Sequence, residues 1–126
     1  MADHPKTLAL ISHDGKKADM VAFAMQHKTV LEKYELVATR TTGRLLQEKC
    51  GLNVQQMLSG PLGGDAQIAA QVAEGKIEAV FFFVDPLSAQ PHDPDIQGLL
   101  RICNVHNVPL ATNTATASFV ISGRAL

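Results

Sequence analysis

The sequence predicts an α/β fold: a single three-layer α/β/α domain over residues 1–126, built on a five-stranded parallel sheet of the Rossmann-like kind. Three observations predict it. Short apolar runs alternate with stretches of helical spacing, which is the signature of repeated βαβ units. The run Ala-Val-Phe-Phe-Phe-Val at 79–84 is continuous enough for a strand covered on both faces. A length of 126 residues, 46% of them apolar and with no break in composition, suits one hydrophobic core.

The elements follow in order. Residues 7–12 (Thr-Leu-Ala-Leu-Ile-Ser) form a buried strand, and residues 16–32 carry Met20, Val21, Ala24 and Leu31 at roughly helical spacing. A second strand occupies 35–39, a helix 42–50 closes at Gly51, and a third strand runs over 54–58. Good helix formers fill 66–74 ahead of Gly75, and the strand at 79–84, the most apolar, is expected at the sheet centre. A helix at 95–104, a strand at 109–112 and a helix at 115–122 complete five strands and five helices.

Composition narrows the function. A net charge of -1 and a pI near 6.5 argue against nucleic acid or an anionic membrane as the main partner, and leave a small ligand as the expectation. Residues 1–6 lack the apolar stretch of a signal peptide, and 79–84 is too short to span a bilayer, so the expected location is the cytoplasm. Cys50 and Cys103 have neither metal-ligand spacing nor disulfide-scaffold density and are read as buried or reduced thiols.

Right-handed crossovers would lay these strands parallel, and open sheets of this kind bind ligands beyond the carboxyl ends of their strands. The polar residues gather there: His13-Asp14-Gly15, Thr39-Arg40-Thr41-Thr42-Gly43, Ser59 to Asp65, Asp85-Pro86 through His92-Asp93-Pro94-Asp95, and Thr112-Asn113. Each has a structural explanation taken alone. Asp14, Asp65 and Asp95 sit where helix caps or first-turn acids belong, Asp85 before Pro86 can open a turn, and the Thr and Ser loops can be ordinary capped turns. Capping does not, however, explain why four acids, two histidines and two Ser/Thr-Gly loops share one sheet edge. Hydroxyl and backbone donors beside the acids fit an anion, and a carboxylate beside an anion site invites proton chemistry. A divalent metal is the rival explanation of the acids and histidines. There is no P-loop lysine pattern and no Rossmann glycine fingerprint, which disfavours nucleotide cofactors.

His13-Asp14, Thr41-Thr42-Gly43, Ser59-Gly60-Pro61-Leu62-Gly63-Gly64-Asp65, Asp85-Pro86-Leu87 and Pro91-His92-Asp93-Pro94-Asp95 occur together and in order, followed by Cys103-Asn104-Val105-His106 and Pro109-Leu110-Ala111-Thr112-Asn113. In these motifs, over nearly its whole length, the chain resembles the methylglyoxal synthase family. The resemblance implies conversion of dihydroxyacetone phosphate to methylglyoxal and inorganic phosphate with no cofactor and no metal. By the family pattern Asp65 is the base that removes a proton from the hydroxymethyl carbon, and His92 donates to the oxygens of the resulting ene-diolate. By the same pattern Asp95 and Asp14 would orient His92 and His13 or relay hydroxyl protons. The resemblance also implies that Lys17, Thr39, Thr41, Thr42, Ser59 and Gly60 hold the phosphate, with His13 and His92 also binding substrate.

Two departures stand out. Arg40 occupies a place where the family loop usually carries glycine, so it implies strain or a reshaped loop if that glycine had positive φ, an inward pairing with phosphate, or an outward, solvated side chain. The chain ends at Leu126, where many relatives continue with a tail that reaches a neighbouring subunit. The resemblance further implies a closed homo-oligomer, commonly a hexamer, with inorganic phosphate as product and inhibitor. The competing class is a regulatory module resembling the allosteric domain of carbamoyl phosphate synthetase, which binds phosphorylated effectors without chemistry. Asp65, His92 and Asp95 favour catalysis, because a plain phosphate binder avoids packing acids around an anion. A cyclohydrolase-like domain of purine synthesis is a third reading, and would usually belong to a longer chain.

Overall fold

The computed structural model describes residues 6–87 and 96–122. Five strands, β1 (Thr7–Ser12), β2 (Glu35–Ala38), β3 (Val54–Gln56), β4 (Ala79–Phe83) and β5 (Leu110–Ala111), form one parallel sheet in the order β3-β2-β1-β4-β5. The helices are α1 (Lys17–Gln26), α2 (Lys28–Leu31), α3 (Arg40–Cys50), α4 (Gly64–Ala73), α5 (Ile96–His106) and α6 (Thr114–Ser122).

Alternation along the inner strands builds two cores. Leu8 and Leu10 of β1 and Phe81 and Phe83 of β4 turn to one face, where Met20 and Phe23 of α1, Leu46 of α3 and Ile121 of α6 cover them. Ala9, Ile11, Val80 and Phe82 turn to the other, under Ile68 and Val72 of α4 and Leu99 and Cys103 of α5. The result is the expected three-layer α/β/α sandwich. Phe23 locks α1 onto the sheet with edge-on contacts to Phe81 and Phe83, both at 5.5 Å between ring centroids. No helix among the described residues is long and apolar enough to cross a membrane.

The structure corrects three expectations. β1, not β4, is the central strand. Both have neighbours on either side and helices on both faces, so both read as apolar, and apolar continuity cannot rank them. The helix expected over 16–32 is interrupted at His27, whose ψ of 22° leaves the helical range. Its ring packs on Phe23 at 4.8 Å and its Nε2 lies 3.2 Å from Ser118 Oγ of α6, so a tertiary contact fixes a break that periodicity does not register. α3 and α4 each begin two residues earlier than expected, so Arg40 and Gly64 are helical.

Candidate active site

In this strand order the crossovers from β1 and β4 leave on opposite faces, opening the crevice where doubly wound sheets bind ligands. His13, directly after β1, fills that point and is 4% exposed. Its N–H donates to Phe83 O at 3.0 Å, and its Nδ1 accepts the N–H of Asp85 at 3.0 Å. The ring stands edge-on to Phe82 at 5.5 Å. A ring nitrogen that accepts a main-chain N–H carries no proton, so the imidazole proton is placed on Nε2. Asp85 Oδ1 accepts the N–H of Leu87 at 3.0 Å, the turn role that its position before Pro86 suggests. The same carboxylate packs on Gly15 so closely that a Cβ there would collide with it.

The ends of β1 and β2 bring together several of the sequence-predicted phosphate ligands. Lys17 Nζ donates to Ser12 O at 2.8 Å and lies 3.4 Å from Asp14 Oδ1. Ser12 Oγ and Thr42 Oγ1 are 3.0 Å apart and buried. Thr39 takes the N-cap position of α3 with no side-chain capping bond and is buried, so its hydroxyl is not spent on the helix end. Thr41 and Arg40 are exposed on the first turn of α3. Arg40 has no positive φ, because the only such non-glycine among the described residues is Asn107, so the strained-loop reading of Arg40 falls. It faces a groove with Gln67 and Gln71 of α4.

Beyond β3 the chain makes a tight turn of 3₁₀ helix at Gly60–Leu62, and the carbonyl of Ser59 accepts the N–H groups of both Leu62 and Gly64. Gly63, at φ +99°, leads into α4, and Gly64 packs so tightly on the Leu58 carbonyl that no Cβ fits. Asp65 is therefore the second residue of α4 and not its cap, with Oδ1 accepting the adjacent Ala66 N–H at 3.0 Å. It is partly exposed in the first turn, where the helix dipole favours a carboxylate. Two strand spacings, about 10 Å, separate the ends of β1 and β3, a distance that a small phosphate ester can span.

Thr112 and Asn113 go elsewhere. They line a cleft of about 530 Å³ over the ends of β4 and β5 with Lys16, Phe83, Pro86 and Leu100, and Asn113 Oδ1 caps α6 by accepting the Thr116 N–H at 2.8 Å. That cleft contains none of the predicted phosphate ligands. His92 and Asp95 lie outside the described residues. Among the described residues no group of three or more His, Cys, Asp or Glu side chains could hold a metal ion. Burial pushes the Cys103 thiol up to about 11 and raises that of Cys50 against the opposing pull of Lys28, which leaves both unsuited to nucleophilic work. Ser12, which touches both Lys17 and Thr42, is the residue of this cluster that the sequence reading does not single out. Its signal was a lone hydroxyl ending an apolar strand immediately before His13-Asp14.

Comparison with known proteins adds to this geometry. The MGS-like domain family matches residues 19–112. The chain is 61% identical over 117 residues to a methylglyoxal synthase of Thermus thermophilus, covering 93% of each chain. It is 56% identical over 114 residues to a methylglyoxal synthase of Clostridium botulinum, covering 90% of this chain and 96% of that one. The fold matches the crystal structure of methylglyoxal synthase from Elizabethkingia anophelis with a TM-score of 0.91 and 47% identity, over 94% of this chain and 78% of that one.

Proposed function

The chain belongs to the methylglyoxal synthase family, and from that membership we infer that it is a carbon-oxygen lyase converting dihydroxyacetone phosphate to methylglyoxal and inorganic phosphate. The observation that carries the reading is the likeness to methylglyoxal synthases over nine-tenths of the chain. These relatives are enzymes by name, which favours the lyase over the effector-binding module.

The strand-end geometry supports a division of labour. Lys17, Thr39, Thr41, Thr42, Ser59 and Gly60 hold the phosphate, with the ammonium supplying one compact charge and the rest hydroxyl and main-chain donors. Asp65 takes a proton from the hydroxymethyl carbon, and the electron pair moves into an ene-diolate. Collapse of the ene-diolate breaks the bridging C–O bond, releases phosphate and leaves an enol that takes up a proton to become methylglyoxal. His13, as an Nε2 donor, binds the substrate oxygens, and Asp14, 3.4 Å from the Lys17 ammonium, steadies that cation. His92 and Asp95 keep the roles that the resemblance gives them, donor to the ene-diolate and its orienting carboxylate.

The fuller proposal is a single domain acting in the cytoplasm as a closed homo-oligomer, a hexamer by family pattern, with inorganic phosphate as product and inhibitor. Purified protein mixed with dihydroxyacetone phosphate should release methylglyoxal and inorganic phosphate in equal amounts. Binding of phosphate analogues with no turnover would instead identify a regulatory module.

A further inference from the structure

We infer that Ser12 is a positioning residue for phosphate binding: its hydroxyl donates to Thr42 Oγ1 and thereby directs the Thr42 proton to the bound anion. The inference rests on the reading of Thr42 as a phosphate ligand.

Ser12 ends the central strand with its residue surface 0% exposed, and Thr42, the third residue of α3, is 1% exposed. A hydroxyl taken that far from water is costly unless bonded, and each of these has the other at 3.0 Å, across 30 residues of sequence. Ser12 also holds a second proposed ligand, since its carbonyl accepts Lys17 Nζ at 2.8 Å. One residue thus braces both the cation and a hydroxyl of the cradle, from the central strand of the sheet.

Proton counting sets the direction of the Ser12–Thr42 bond in the bound state. A hydroxyl has one proton to give, and a phosphate oxygen that carries no proton can only accept. If Thr42 gave its proton to Ser12, none would remain for the ligand. With phosphate bound, Ser12 must donate to Thr42 and Thr42 to phosphate, a two-step chain in which the first bond polarises the second. Removing the Ser12 hydroxyl leaves Thr42 as a donor with no support from behind.

Inorganic phosphate titrated calorimetrically into the parent, Ser12→Ala, Thr42→Val and the double variant tests this, with thermal melts of all four. Thr42→Val should weaken phosphate binding, and Ser12→Ala should weaken it roughly 3- to 10-fold in the parent background but add nothing in the Thr42→Val background. A Ser12→Ala protein that melts earlier yet binds phosphate as the parent does would make the contact a structural tie and overturn the inference. Equal weakening by Ser12→Ala in both backgrounds would also overturn it, since Ser12 would then act without Thr42. Unchanged affinity in Thr42→Val would remove Thr42 from the cradle and the inference with it, and only that outcome also refutes the ligand assignment.

Discussion

The main-chain N–H of Asp85 donates to Nδ1 of His13 over 3.0 Å, binding the loop after β4 to the loop after β1 where the sheet's connections diverge. Because the donor is backbone, the arrangement survives any side chain at position 85 that keeps the turn. It commits His13 to a single donor, Nε2–H.

Nitrogen-15 spectra of the histidine rings near neutral pH should accordingly show His13 as the Nε2-protonated tautomer. A proton found on Nδ1 would mean that the Asp85 bond does not form in solution, and the donor role proposed for His13 would lose its basis.

The glycine pair ahead of Asp65 gives an ordered pair of stabilities. Gly63 has the left-handed φ of +99° but open space around it, so Gly63→Ala should cost about 1–2 kcal/mol of backbone strain. Gly64 has no such φ, yet its missing Cβ is the room occupied by the Leu58 carbonyl, and main chain does not yield as a side-chain end does. Gly64→Ala should therefore cost more, about 3 kcal/mol, in urea unfolding. A smaller loss at Gly64 than at Gly63 would contradict this packing.

Burial disfavours the thiolate of Cys103 and pushes the thiol from its ordinary value of 9.0 up to about 11. Folding then favours the neutral form, so this contribution to stability is complete below pH 9.0 and is lost as pH rises toward about 11. Urea midpoints should fall between about pH 8 and about pH 10.5 in the parent and fall less in Cys103→Ala. Identical slopes in the two proteins would assign the alkaline loss to other groups.

What was legible in the sequence followed from local physics. β1 was bounded correctly at 7–12 because an apolar run ends at Ser12 and His13, and Gly51 and Gly75 mark helix ends through their positive φ. The placement of the loops after β1, β2 and β3 at one sheet edge followed from parallel topology alone. What escaped depended on partners distant in sequence. His27 breaks a helix to meet Ser118, Gly64 is demanded by a carbonyl six residues earlier, and Ser12 matters only because Thr42 folds back onto it. The starts of α3 and α4 lie two residues before the expected ones for a related reason. Arg40 follows the turn at Thr39, whose carbonyl accepts the Gly43 N–H, and Gly64 enters its helix against its own propensity after the turn at Ser59, whose carbonyl accepts its N–H.

Arg40 opens α3 with an exposed side chain that lines a groove with Gln67 and Gln71, and that groove includes none of Ser12, Lys17 and Thr42. Arg40→Gly should leave turnover and phosphate affinity within about twofold of the parent, at a stability cost of about 0.5–1 kcal/mol for glycine in a helix. A marked drop in phosphate affinity would show that the guanidinium reaches the ligand after all.

Asp65→Asn is the sharpest test of the chemistry. Asparagine keeps the shape and the Oδ1 acceptor that receives the Ala66 N–H but gives up the first-turn charge that the helix dipole favours, so α4 should start where it does now at a stability cost of about 0.3–1 kcal/mol. What it removes is basicity: an amide cannot take the proton from the hydroxymethyl carbon. If Asp65 is the base, kcat should fall by at least roughly 100-fold. Phosphate binding should not weaken, because a nearby negative charge opposes an anion and its loss favours one. Near-parental turnover would transfer the base to another carboxylate, whereas a fall in kcat accompanied by weaker phosphate binding would place Asp65 among the groups that shape the cradle.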